Sequence, residues 1–237
     1  MYPDDSVQGV LHPTPWWIPD ATLTLKRGRL IWVFLPHVSQ EPAGLFIQGR
    51  AADPTDHQKA LFQLGPLRIN HNPTATAGLP VAAVPSHPGE VLAVYRAKKR
   101  PAVVLSTGGT QVPSMLRAGS SRWQSAPSLL VIPSYGAIPD GTRGGWPSDF
   151  VHRIQLCEFP QYILDWLPIS ASREPSILRL DHIQPVGLHY NSYELTPWVL
   201  SNAALEVLDD WLLWLQTGLV PKEGILYMAQ EGFKDMR

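Results

Sequence analysis

The sequence predicts a mostly-β protein with some α: a small β-barrel closed by a C-terminal amphipathic helix, preceded by a β-containing N-terminal extension. Three observations carry this. Apolar runs are short and bounded by Pro or Gly, as at Pro101-Ala102-Val103-Val104-Leu105-Ser106, the pattern of buried strands. Proline makes up 24 of 237 residues, and it suits neither helix interiors nor central strands, so many short elements and rigid loops are expected. Apolar residues at helical spacing stand out mainly near the C-terminus, where Leu200, Ala204, Leu208, Trp211, Leu212 and Leu215 would share a face.

Taken in order, residues 1–20 are Pro-rich and irregular, with Trp16 and Trp17 placed to dock them. Leu23–Leu35 reads as a strand turned at Lys26-Arg27-Gly28 and ended by Pro36. Asp56–Leu64 reads as a short helix, with Ala60, Leu61 and Leu64 on one side. Glu90–Tyr95, Ala102–Ser106 and Leu129–Pro133 read as strands. Phe150–Phe159 also reads as a strand, since Val151, Ile154, Leu156 and Phe159 alternate with polar residues apart from one slip. Ile163–Ile169 and Ser176–Ile183 complete the β set. Thr196 suits an N-cap, Pro197 the first helical position and Gly218 the residue past the helix end. A shorter helix follows Lys222. The expected organisation is an extension over 1–86, the barrel with its helix over 87–220, and a tail over 221–237.

Charge is nearly balanced overall, with a net −1, but its distribution is uneven. From Arg96 to Arg153 there are eight basic residues against Asp140 and Asp149, a local positive excess suited to an anionic partner. The single cysteine, Cys157, lies in the apolar run read as a strand and is expected to be a buried thiol. No basic start leads into an apolar run, and no apolar stretch reaches a membrane-spanning length, so a cytoplasmic protein is expected.

The familiar chemical motifs are missing. There is no phosphate-binding P-loop, no dinucleotide fingerprint and no zinc-ligand spacing, so no cofactor or metal is expected. Pro133-Ser134-Tyr135-Gly136 lacks the first glycine of a nucleophile elbow. What remains is Lys98-Lys99-Arg100-Pro101 at the entrance to a strand. Pro101 fixes the backbone there, so Arg100 is held at a strand end, where a guanidinium can clamp a phosphate and stabilise charge developing on it.

In order, Gly89–Val94, Lys99–Ser106, Leu130-Val131-Ile132-Pro133, Glu174–Ile183 and Leu195-Thr196-Pro197 with Ala203–Leu215 resemble the MazF/PemK (CcdB-like) toxin family over about residues 87–217. The resemblance implies an SH3-like barrel, a homodimer, an antitoxin peptide or protein as partner, and metal-independent endoribonuclease activity. In that activity the 2′-hydroxyl of single-stranded RNA attacks the neighbouring phosphate and leaves a 2′,3′-cyclic phosphate. It also implies that Arg100 acts in acid/base and phosphate-stabilising roles. Where the family carries a phosphate-holding Thr two residues after the strand's Pro, this chain has Tyr135, with Ser134 one residue earlier. Arg100, Ser134 and Tyr135 are therefore the expected catalytic residues. Lys98, Lys99, Arg117, Arg122, Arg143, Asp181 and His182 are the expected RNA contacts. The alternative is a non-catalytic interaction or regulatory module that uses the barrel to bind a protein partner.

Overall fold

The computed structural model describes the chain except residues 1, 51–52, 54, 56–58, 71–88, 121–124, 142–143, 170–173, 190 and 237. It is mostly β with a few helices and divides into two compact units. The larger comprises Met1–Phe34 and Lys99–Arg237, the smaller Leu35–Lys98. The division therefore falls elsewhere than at the expected 86/87 boundary, and the first 34 residues belong to the larger unit.

In chain order the elements are α1 (Val7–Val10), β1 (Trp17–Pro19), β2 (Arg29–Pro36), β3 (Ala43–Arg50), β4 (Ala60–Pro66), β5 (Ala93–Val94), β6 (Ala97–Ser106) and β7 (Ser128–Gly136). They continue with α2 (Ser148–Gln155), β8 (Tyr162–Trp166), β9 (Pro175–Arg179), β10 (Gln184–Gly187), β11 (Tyr193–Leu200), α3 (Asn202–Thr217) and α4 (Ile225–Gly232). A 3₁₀ turn, Leu180–His182, separates β9 from β10.

The larger sheet is curled, with strand order β1-β11-β2-β6-β7-β9-β8 and β10 added on β7. β7 organises it. One side pairs with β6, Ala102 opposite Pro133. The other side pairs first with β10, Gln184 opposite Val131, and then with β9, Ser134 opposite Leu178. Six residue steps, from 178 to 184, thus span what three steps cover on β7, from 131 to 134. The excess leaves the sheet as the 3₁₀ turn and lifts Asp181 and His182 off it.

Successive residues of a strand face opposite sides, and both faces of this sheet are covered. Leu30, Val103, Ile132, Ile163 and Leu178 join Trp16, Trp17, Val207, Leu208 and Trp211 in the main core. Burying each aliphatic side chain there contributes about 1.5–3 kcal/mol. Ile177 and Leu164, one residue out of phase, meet Ile154 of α2 and a layer of Trp146, Phe150, Phe159 and Tyr162. Arg29, fully buried, is satisfied by the carbonyls of Asp20, Thr24 and Thr196 and by the Asp20 carboxylate.

In the smaller unit, β3 pairs antiparallel with β4 and β5. Residues 60–64, expected in a helix, are therefore strand. Pairing from Ala43–Pro66 through Arg50–Ala60 supplies long-range backbone bonds that outweigh the weak helical pattern. Residues 56–58 of that expectation lie outside the described residues. The strand expected over Glu90–Tyr95 shortens to the two residues of β5.

Three further expectations are corrected. Residues 148–155 are helix, and the apparent slip between Val151 and Ile154 is a helical step of three that puts Ile154 inward. Cys157 is buried as expected, but in the turn after α2 with φ 58°, not in a strand. Thr196 and Pro197 lie in β11, where a register shift between Leu195 and Val199 accommodates the proline. The Thr196 hydroxyl donates to the Leu30 carbonyl at 2.7 Å. The α3 cap is instead Ser201, whose hydroxyl accepts from the Ala204 N–H at 3.2 Å. Gly218 ends α3 at φ 76°, as read from the sequence.

Candidate functional site

Extending the β6–β7 register two residues past Ala102–Pro133 brings Arg100 beside Tyr135. Its guanidinium stacks on the phenol ring, 4.3 Å from ring centroid to Cζ, a favourable cation–π arrangement. Arg100 is half-buried, and among the described residues nothing accepts a hydrogen bond or ion pair from it. Burial draws its pKa down from the ordinary arginine value, yet a guanidinium stays charged at neutral pH. Its fork is thus an unused set of donors.

Tyr135 lies across from Ile177, on the α2 side of the sheet. Its Oη is 2.9 Å from His182 Nδ1, the two rings meeting edge to face. His182 Nε2 is 2.8 Å from an Arg179 NH2 group. Arginine only donates, so Nε2 accepts and the proton of the neutral imidazole sits on Nδ1. From there it donates to Tyr135 Oη, which leaves the tyrosine's own O–H proton free to point elsewhere. Burial and then the Arg179 charge hold the His182 pKa below its ordinary value, which favours this neutral form. Burial raises the Tyr135 pKa against the lowering influence of Arg100 and Arg179, so the phenol keeps its proton.

Arg179 is the site residue that sequence reasoning missed. It grips Asp181 through Nε–Oδ1 at 2.7 Å and NH2–Oδ2 at 2.5 Å, a bidentate fork. It also lies over Tyr162 at 4.9 Å. Burial pushes the Asp181 carboxyl up, but the Arg179 fork outweighs it and the net shift is downward. The available signal was Arg179-Leu180-Asp181-His182, three polar groups at the end of an alternating strand.

The remaining expected site residues separate. Ser134 faces the main core, 2% exposed, its hydroxyl buried without a hydrogen-bond partner among the described residues. That is the fate of the residue before Tyr135 on a strand covered on both faces, and it takes Ser134 out of the site. Lys99 is exposed, paired with Glu194 at 2.7 Å and lying over Trp32. Lys98 is exposed in the smaller unit. Arg117 sits in a 3₁₀ turn, Ser114–Arg117. Arg122 and Arg143 lie outside the described residues.

The assembled group of Arg100, Tyr135, Arg179, Asp181 and His182 offers two guanidinium groups, a free phenolic proton and a paired carboxylate. That set can bind an oxyanion and move protons beside it. Among the described residues no cluster of His, Cys, Asp and Glu could hold a metal ion, and no helix is long and apolar enough to cross a membrane. Compared with known proteins, the chain matches no family model, no curated protein and no solved structure.

Proposed function

We propose that this chain binds single-stranded RNA through a phosphate at Arg100 and cleaves it in the manner of MazF/PemK-like ribonucleases, on an SH3-like barrel that α3 helps to close. The observation that carries the reading is the Arg100 cation, unpaired among the described residues and stacked on Tyr135, with Arg179 at the end of β9 and Asp181 and His182 on the turn that follows it alongside. The Arg100 guanidinium would hold the non-bridging phosphate oxygens. Attack by the 2′-hydroxyl forms the bond from O2′ to phosphorus and breaks the bond to O5′. Asp181 would take the 2′ proton once Arg179 turns towards the phosphate, and the Tyr135 O–H would protonate the leaving 5′-oxygen. The test is incubation with RNA of mixed sequence in excess chelator, with the new ends analysed. Fragments ending in 2′,3′-cyclic phosphate, lost in Arg100→Ala, support the reading. Intact RNA with wild-type protein removes the catalytic claim.

One observation favours a second reading, a module that binds without cutting. Both candidate proton acceptors, Asp181 and His182 Nε2, are occupied by Arg179. Salt-dependent RNA binding without cleavage would support it.

A further inference from the structure

His182 is held on both ring nitrogens: Nδ1 lies 2.9 Å from Tyr135 Oη and Nε2 lies 2.8 Å from an Arg179 NH2 group. Nε2 also lies 3.9 Å from Asp181 Oδ2. The lone pair that Arg179 fills is thus next to the carboxylate that Arg179 neutralises. The charged and titratable groups facing the imidazole are Arg100 from β6, Tyr135 from β7, Arg179 from β9 and Asp181 from the 3₁₀ turn itself. β8, also packed on that turn, brings Tyr162 against Arg179 and turns Asp165 to the Trp17 indole. Two guanidinium groups therefore face the ring against one carboxylate. In the free protein, burial and then the Arg179 charge, with Arg100 behind it, hold the imidazole neutral against the pull of Asp181.

An anion at Arg100 changes that balance in two ways. Its negative charge offsets the guanidinium charge that disfavours an imidazolium. It also competes with Asp181 for Arg179, whose guanidinium lies 5.9 Å from the centroid of the same Tyr135 ring that Arg100 approaches to 4.3 Å. As Arg179 turns to the anion, Nε2 loses its donor and faces the Asp181 carboxylate. A neutral ring would then set a lone pair against a carboxylate oxygen. A protonated one donates from Nε2 to Oδ2, while its Nδ1–H keeps the bond to Tyr135 Oη.

We infer that binding of an oxyanion at the Arg100 site is coupled to uptake of one proton at His182, which takes over the Asp181 carboxylate from Arg179 and becomes a third cation of the site. This rests on the reading of Arg100 as a phosphate contact and not on RNA cleavage. The complex holds a proton that the free protein lacks, so affinity rises as pH falls. The rise is at most about tenfold per pH unit, the limit for one proton, and lies between the free-state and bound-state pKa of His182.

The experiment titrates the full chain with a 2′-O-methyl oligonucleotide of mixed sequence, which has no 2′-hydroxyl to attack and whose phosphates do not titrate near neutral pH. Sodium sulfate is the parallel probe, at constant ionic strength. Calorimetry near pH 6.5, the ordinary histidine value, in two buffers of different ionisation enthalpy counts the protons taken up. Uptake approaching one proton is expected, and its loss in His182→Gln. NMR titration of the wild-type imidazole, assigned through its edge-to-face contact with Tyr135, should show its pKa rising when the probe saturates. That measurement decides the matter even where the variant fails to fold, and an unchanged pKa overturns the coupling. Binding without proton uptake, or with uptake that persists in His182→Gln, also overturns it while leaving the anion site in place. Sulfate binding with uptake but no oligonucleotide binding upholds the coupling and removes the RNA reading. No binding of either probe removes both.

Discussion

Arg100 lies against the face of Tyr135 with its guanidinium carbon 4.3 Å from the ring centroid, and that contact leaves its hydrogen-bonding edge open. Arg179, in the same group, is the opposite case: its fork is filled by Asp181 and its face by Tyr162. The two arginines therefore have different expected roles: Arg100 is open to an anion at once, while Arg179 holds Asp181 and His182 until an anion draws it away.

Replacing Arg100 should separate charge from geometry. Arg100→Ala is expected to abolish RNA cleavage and to lower the salt dependence of RNA binding by about one phosphate contact. Arg100→Lys keeps the charge but loses the planar fork and the stacking, so it should recover binding in part and cleavage hardly at all. Filter binding at several salt concentrations, alongside a cleavage assay, checks both.

Tyr135→Phe tests the free phenolic proton. The ring that supports Arg100 is retained, so RNA affinity should fall by less than about tenfold, the worth of one hydrogen bond. Cleavage should fall by about a hundredfold or more if the hydroxyl acts as an acid. His182→Ala should shift the pH profile as well as the rate, because Tyr135 Oη loses the Nδ1 proton it accepts. A uniform fall in rate with an unchanged profile would refute that arrangement.

Ser134→Ala should leave RNA binding and cleavage unchanged, because the side chain faces the core. Its buried hydroxyl has no hydrogen-bond partner among the described residues, so removing it should be neutral or should stabilise the fold by up to about 1 kcal/mol. Thermal unfolding and a serine-reactive probe measure the two halves. Labelling of Ser134 would contradict its placement.

Asp165 makes stability depend on pH. Burial pushes its pKa up from the ordinary aspartate value to about 7, against the lowering effect of the Trp17 indole, the Trp166 backbone N–H and the Trp16 indole. The folded state holds a proton that the unfolded chain releases near pH 4. The contribution is therefore complete below pH 4 and is lost as pH rises towards 7. Asp165→Asn keeps an acceptor for Trp17 and cannot ionise, so it should be more stable than wild type at pH 8 and close to it at pH 4. Denaturant unfolding at the two values should show a gap of up to roughly 4 kcal/mol.

His182 acts with the opposite sign. Its lowered pKa means that the unfolded chain takes up a proton first as pH falls below about 6.5. The stability it contributes is present above that value and is lost from there down to the folded-state pKa. His182→Gln should flatten unfolding curves in that interval.

The sequence carried much of the β framework because its strands are apolar and punctuated. Val103, Val104, Val131 and Ile132 are fully buried where alternation and bounding Pro and Gly placed them. It misled where one local signal had two readings. Thr196-Pro197 is a good helix start by composition, yet pairing with β2 and β1 holds it in a strand and passes the cap to Ser201. At the site, Arg100 and Tyr135 could be named from a strand entrance and a motif position. Arg179 could not, because its role depends on the sheet edge changing partners from β9 to β10, a long-range event that leaves no periodicity in the chain. Ser134 failed for the simplest reason: one step along a strand changes which side of the sheet a side chain serves.

β2 lies between β11 and β6 in the sheet, yet in the chain it precedes β6 by some sixty residues that fold as a separate unit. A fragment beginning after residue 86 would carry the Arg100 site residues but expose the unpaired edges of β6 and β11. Peptides 1–34 and 99–237 supplied together contain the missing neighbour on one and its slot on the other. The division of the chain into two units thus makes the protein a natural subject for fragment complementation, with the return of the sheet read out by circular dichroism.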